Sequence, residues 1–356
     1  MSIPQSPNPH PAVVLHAVPL ERLADTSHGA RSTQSSGSRR AIDAPARQTG
    51  IGISFVDFGR PAALRRLRRR EALTKTRLSS LVLLVPLFAG RASAVDIAAC
   101  GQLVPAGQVG VLQADLDCGG DEAAGACLTE AAAACASDPG CTDAACGGVL
   151  LRDGSTLEMN GHTVANGVVV CPLFHSRCSV VGPGTIVGGY GLTALGRKLD
   201  ASGGLDVHGG EVGIANYKGR VILQDATVSG VANWGIQAYR GLRATNVTSN
   251  NNEIGILVYN GSFIGSGITA NDNRGTGVLV AAGRLVLTGL MATGNGRDPE
   301  YRGAGVLCEG RTVLVNSVVT GNYADGTRPL DLLAKRRPVL VDSTCDHSLW
   351  GICSQD

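Results

Sequence analysis

Gly-Ile-Leu-Val at residue 255 returns as Gly-Val-Leu-Val at residue 277, and this return organises the chain. Five segments align on it: GIANYKGRVIL from 213, GIQAYRGLRAT from 235, GILVYNGSFIG from 255, GVLVAAGRLVL from 277 and GVLCEGRTVLV from 305. The steps are 22, 20, 22 and 28 residues, the long one carrying the insert GRDPEYRGA. A looser sixth unit, DLLAKRRPVLV, starts at 331. Polar corners fall between the units, ending at Asn250, Asn271, Asn295, Asn322 and Asp346. A period in the low twenties, with short strands and Asn/Gly corners, describes one coil of a solenoid. Strand alternation points Ile236, Ala238, Ile256, Val258, Val278 and Val280 inward and Gln237 and Tyr239 outward. One coil cannot bury its inner face alone, whereas stacked coils with strands about 4.8 Å apart can.

A leucine-rich repeat would need a Leu-x-x-Leu-x-Leu frame, and a left-handed β-helix would step in hexapeptides; the chain shows neither. Its G-[IV]-x-[VA] strands with polar corners, together with DGSTLEMNGHTV (153–164) and CSVVGPGTIVG (178–188), resemble the right-handed parallel β-helix of the pectate-lyase-like superfold, in its secreted bacterial repeat form. The resemblance covers residues 148–353. It implies an all-β fold, a single-stranded right-handed parallel β-helix with coils of about 20–24 residues. It implies little about activity, because such a scaffold hosts lyases, hydrolases, epimerases and non-catalytic adhesins.

Charge divides the chain. Residues 1–94 hold 14 Lys and Arg against 5 Asp and Glu; residues 95–356 hold 17 against 24. Residues 1–63 are rich in Pro, Ser and Arg without periodicity, and no fold is expected there. Residues 64–94 read as a signal peptide: the basic LRRLRRREALTKTR, the apolar run Leu78–Phe88, then Ala92-Ser93-Ala94 as the cleavage site. The apolar run is too short to span about 30 Å of bilayer. The expectation is therefore a secreted, periplasmic or surface chain with a mature start near Val95, no transmembrane segment in the mature part and a true start codon between about residues 56 and 67.

All 11 Cys lie after residue 99, as export predicts. CPLFHSRC sets Cys171 against Cys178, CDHSLWGIC sets Cys345 against Cys353, and Cys100 can reach Cys118. Cys127, Cys135, Cys141 and Cys146 form a stapled module within 95–147, a stretch expected to supply first strands and a cap before the β-helix of 148–356. Cys308 is left over in an inward strand position and is expected to be buried and free. No C-x-x-C pairs with His partners occur, so no metal site is expected.

The register places Tyr217, Tyr239 and Tyr259 in one outward column that continues as Ala281, Glu309 and Lys335. Phenol rings at coil spacing can stack on sugar faces and hydrogen-bond their hydroxyls. The candidate binding set is Tyr217, Tyr239 and Tyr259 with Arg240, Glu309 and Lys335. Arg220, Arg284, Arg311 and Arg337 recur one step past the corner. Such a column can equally be a cross-strand ladder that stabilises the stack and binds nothing.

Catalytic candidates are Asp206, His208 and Glu211 in GGLDVHGGEVG, read as a loop inserted between coils, where His beside carboxylates could move protons. The Asn-Thr-Asp, Asp-Asp and Arg-Ile-Lys signatures of the resembled enzymes are missing, and DPEY (298–301) lacks the His of the epimerase phrase it faintly matches. The expected function is non-catalytic binding of an extended polysaccharide or cell-surface glycan, with no cofactor and no nucleic acid partner. The alternatives are a polysaccharide lyase, which would need Ca²⁺, a glycoside hydrolase, and a structural surface protein that binds nothing.

Overall fold

The computed structural model describes residues 94–119, 147–301 and 303–355. They form a parallel β-solenoid of about nine turns with no helix. No helix among them is long and apolar enough to cross a membrane. Residues 64–93 of the predicted signal segment and the four-cysteine module lie outside the described residues.

A ten-stranded sheet runs from Leu103–Val104 to Leu332–Ala334, each coil adding one strand. The repeated phrase is this strand. Ile236, Ile256 and Val278 are in register, as are Ala238, Val258 and Val280, and all six side chains are fully buried. The remaining faces of each coil belong to a seventeen-stranded sheet. Its long strands, such as Arg220–Ser229 and Leu242–Asn250, bend at left-handed residues, Asp225 (φ 53°) and Asn246 (φ 54°). One hydrophobic cluster fills the bore, with Val221, Leu242, Phe263 and Leu285 stacked in successive rungs.

Three sequence expectations shift. The stack begins at Ala94–Ile97, which pairs with Val109–Leu112, so the first coils precede residue 148. The stretch around Asp206 is no inserted loop. Leu205–His208 is a regular strand between Gly184–Val187 and Arg220–Ser229, because Leu205 and Val207 alternate into the core. Gln237 does lie on the outer face, but it is buried between Ala215 and Leu257 of the neighbouring rungs.

The corners also shift, and they explain the repeated glycine. The buried rungs are Asn252, Asn273, Asn295 and Asn322, so Asn250 and Asn271 stand two residues early. Asn271 aligns with Thr293, whose amide it accepts at 3.0 Å. Between the two polar positions sits a left-handed residue: Asn251, Asp272, Gly294 or Gly321. Asn273 Nδ2 donates to Asn295 Oδ1, and Asn295 Nδ2 to Asn322 Oδ1, each at 2.8 Å. These amides pack against the glycine that opens each repeat. A Cβ on Gly277 would lie 2.7 Å from Asn295 Nδ2, and one on Gly305 2.5 Å from Asn322 Nδ2. Gly-[IV]-x-[VA] and the asparagine ladder are thus one device, since only hydrogen fits where the amide sits.

Disulfides join Cys100–Cys118, Cys171–Cys178 and Cys345–Cys353, as expected from their spacing. Cys308 is free and 1% exposed, stacked in register with Val280 and Ala334. An alkylating reagent applied to the native protein is expected to leave the Cys308 peptide unmodified and to modify it fully after denaturation. Substantial native labelling would show that this rung opens readily.

Candidate functional site

The tyrosine column exists in the expected register. Asn216 pairs with Ala238 and Ala238 with Val258, which sets Tyr217, Tyr239 and Tyr259 on consecutive rungs. Backbone bonds from Tyr239 N to Asn216 O and from Tyr259 N to Ala238 O hold them there. The rings are not equivalent. Tyr239 is the exposed one, at 38%, and its ring lies 6.2 Å from that of Tyr259, tilted by 38°. Tyr217 is largely covered, and burial pushes its hydroxyl up to about 12, with Tyr190, Tyr259 and Glu211 adding to the effect. Burial also raises Tyr259. Farther along the column the Lys335 ammonium sits 3.3 Å from the Glu309 carboxylate, so this end is internally neutralised.

A groove of about 860 Å³ crosses successive coils, lined by the residues that follow Tyr239 and Tyr259 but by neither ring. It follows the corner where each coil leaves the ten-stranded sheet. Arg177, Lys198 and Arg220 occupy one position on three successive rungs. The next two rungs hold Gly241 and Ser262 at that position, and Arg284 follows. The two short residues open the groove between walls of arginine. Arg197, Arg240 and Arg243 complete the cationic lining, which contains no carboxylate. The continuing column, Arg311 and Arg337, lies past the groove. Asn260, next to Tyr259, and Arg240, next to Tyr239, tie the groove to the aromatic pair.

The six lining arginines are all exposed and, among the described residues, pair with no carboxylate. Only Lys198 is neutralised, by Asp200 at 2.7 Å.

The catalytic candidates lie elsewhere. Asp206 Oδ2 is 3.4 Å from His208 Nδ1, an exposed pair on one strand. It stands opposite Thr227 and Ser229, past the bend at Asp225, whereas Arg220 to Ile222 line the groove before that bend. Glu211 follows in the turn, with its amide bonded to Gly189 O, and its charge is felt by Tyr217. Among the described residues no three His, Cys, Asp or Glu side chains are grouped to hold a metal ion. The insert GRDPEYRGA brings Tyr301 beneath the Arg274 guanidinium, 5.5 Å from the ring centre. Burial raises the neighbouring Glu253, against the pull of Arg274 and Tyr301.

Comparison of the chain with protein-family models, curated proteins and solved structures gave no match. The class is defined by the geometry itself: a disulfide-stapled parallel β-solenoid.

Proposed function

We propose that this chain is an exported polysaccharide-binding protein built on a right-handed β-helix of the pectate-lyase-like kind. The observation that carries the reading is the Tyr239–Tyr259 pair, with Tyr239 exposed and Tyr259 partly covered, whose following residues Arg240 and Asn260 line a groove that crosses successive coils. Pyranose rings present C–H faces that pack on aromatic rings, and phenol hydroxyls bond their edges. A solenoid repeats its surface along its axis, and so suits a ligand that repeats along a chain. The three disulfides support an oxidising compartment, and with it export. Binding without turnover is favoured over lyase or hydrolase action because an acid–base pair of carboxylates is not among the groove-lining residues.

Tyr239→Ala tests the reading. Losing one stacked ring costs about 0.5–1.5 kcal/mol beyond area, so oligosaccharide affinity should fall about tenfold. The melting temperature should hold, because the side chain points away from the core. A large drop in melting temperature with unaltered binding would instead make the tyrosines a structural ladder.

A further inference from the structure

We infer that two copies of this chain join end to end through the strand Val339–Val341, which pairs antiparallel with the same strand of the second copy about a two-fold axis at Leu340. Three observations carry the inference. First, the tail closes only part of the last coil. Leu332 is bridged by Ser348, Ala334 O accepts from Trp350 Nε1 at 2.7 Å, and Cys345 O accepts from Ser354 N at 2.9 Å. The remaining strand of that coil, Val339–Val341, pairs with Arg311–Val315 on one side, and no strand among the described residues pairs with its other side. An open strand edge is a template for another chain.

Second, the groups on that edge complement themselves. Asn316 N donates to Val341 O, so Val341 faces the coil below. The N–H of a trans peptide points opposite to its C=O, and successive strand residues face opposite edges. Pro338 O, Leu340 N–H, Leu340 O and Asp342 N–H are therefore turned outward. A two-fold axis turns a strand end for end, so the same strand of a second copy arrives antiparallel. Centred on Leu340, the two leucines exchange both of their bonds, and each Asp342 N–H meets Pro338 O of the other copy. Two donors and two acceptors on each copy are all used, and Pro338, which has no N–H, is asked only for its carbonyl.

Third, the side chains fit the same register. Val339 and Val341 are 42% and 44% exposed on the outer face. Each Val339 falls opposite Val341 of the other copy, in a close non-hydrogen-bonded pair. Leu340 packs on the core but is only partly buried, and Leu340 of the second copy would cover it. Arg337 and Asp342 are exposed at opposite ends of the strand. Antiparallel order sets each Arg337 beside Asp342 of the other copy, whereas parallel order would set like charges together. That charge order favours a second copy over an unrelated strand. Leu349 and Trp350, 68% and 41% exposed on the tail of the same coil, add apolar surface at this end.

The test is sedimentation equilibrium of the full chain over about 1 to about 200 µM, with hydrogen exchange at both ends of that range. The expected result is a monomer–dimer equilibrium with a dissociation constant on the order of 10 µM, as suits a small interface. Exchange at the Leu340 and Asp342 amides should slow as the concentration rises, a reading that needs no variant to fold. Arg337→Asp and Asp342→Arg should each weaken the dimer about tenfold, because each turns two symmetric cross-strand pairs into like charges. The double exchange should restore it. The register has its own check. Cα atoms of a close pair lie about 4.5 Å apart, within reach of a disulfide. An equal mixture of Val339→Cys and Val341→Cys chains should therefore cross-link under mild oxidation at least about tenfold faster than either chain alone. A monomer at every concentration would overturn the inference. So would a dimer in which the two amides exchange as they do in the monomer, or a mixture that cross-links no faster than its parts, since the copies would then meet elsewhere. Protection of the two amides that does not change with concentration would overturn it in favour of another segment of this chain covering the edge.

Discussion

Asn295→Ala is expected to lower the unfolding free energy by about 4 kcal/mol, one of the largest losses any single polar residue of this chain can cause. The side chain is fully buried and engages four partners. Its Oδ1 accepts from Asn273 N at 3.0 Å and from Asn273 Nδ2 at 2.8 Å. Its Nδ2 donates to Ala270 O and to Asn322 Oδ1, both at 2.8 Å. Truncation leaves four buried polar groups without partners at about 1–3 kcal/mol each, eased where the rung relaxes or admits water. Urea unfolding measures the loss directly. Asn250→Ala is the comparison. Asn250 is only half-buried and accepts one bond, from Asn271 N at 2.8 Å, so its replacement should cost about 1 kcal/mol. Equal losses at the two positions would mean that the ladder contributes no more than an ordinary turn.

That pair of variants marks where the sequence was legible and where it was not. The inward strand register could be read by aligning the coils: Ile236 and Ala238 flank the polar Gln237, the same places hold Ile256 and Val258 and then Val278 and Val280, and a slip of one residue would reverse every side chain. The corner register could not. Asn250 and Asn252, like Asn271 and Asn273, are two polar residues of one type within a span of three. Which of them is buried depends on the left-handed residue between them and on the glycine of the next coil. The groove was half visible. Arg220 and Arg284 recur at the repeat spacing, but Arg177 and Lys198 precede the first clear repeat, and the stretch after Lys198 read as an inserted loop. Its concavity comes from Gly241 and Ser262, which carry no signal of their own until their neighbours are stacked above and below. The catalytic trio was assembled from proximity in sequence. In the fold, alternation puts Asp206 and His208 on one face of a strand, while Glu211 follows in the turn beyond it.

The end of the ladder yields the second large effect. Asp331 occupies the place of the repeat glycine in the last coil, in register with Gly305, and its side chain is fully buried. No further coil supplies an asparagine there, and the carboxylate stands in for one. Oδ1 accepts from Asn322 N at 3.0 Å and from Asn322 Nδ2 at 2.8 Å, repeating what Asn322 Oδ1 does for Asn295. Oδ2 accepts from Asp346 N and His347 N, both at 2.9 Å, and so ties down the tail that the Cys345–Cys353 disulfide closes. Donors face this residue from both sides. An asparagine has one accepting oxygen and an amide that only donates, so it can satisfy one side alone. Asp331→Asn, although nearly the same shape, is therefore expected to cost about 3 kcal/mol, the value of two hydrogen bonds to a charged acceptor. The loss should be local first. Hydrogen exchange at the Asp346 and His347 amides should speed up well before that at Asn273 and Asn295, because the tail can lift while the ladder beneath it holds. Unchanged exchange at those two amides, together with unchanged urea unfolding, would show that the terminal rung does not need an acceptor on both sides. The solenoid would then be closed by its disulfide and by the bond from Trp350 Nε1 to Ala334 O instead.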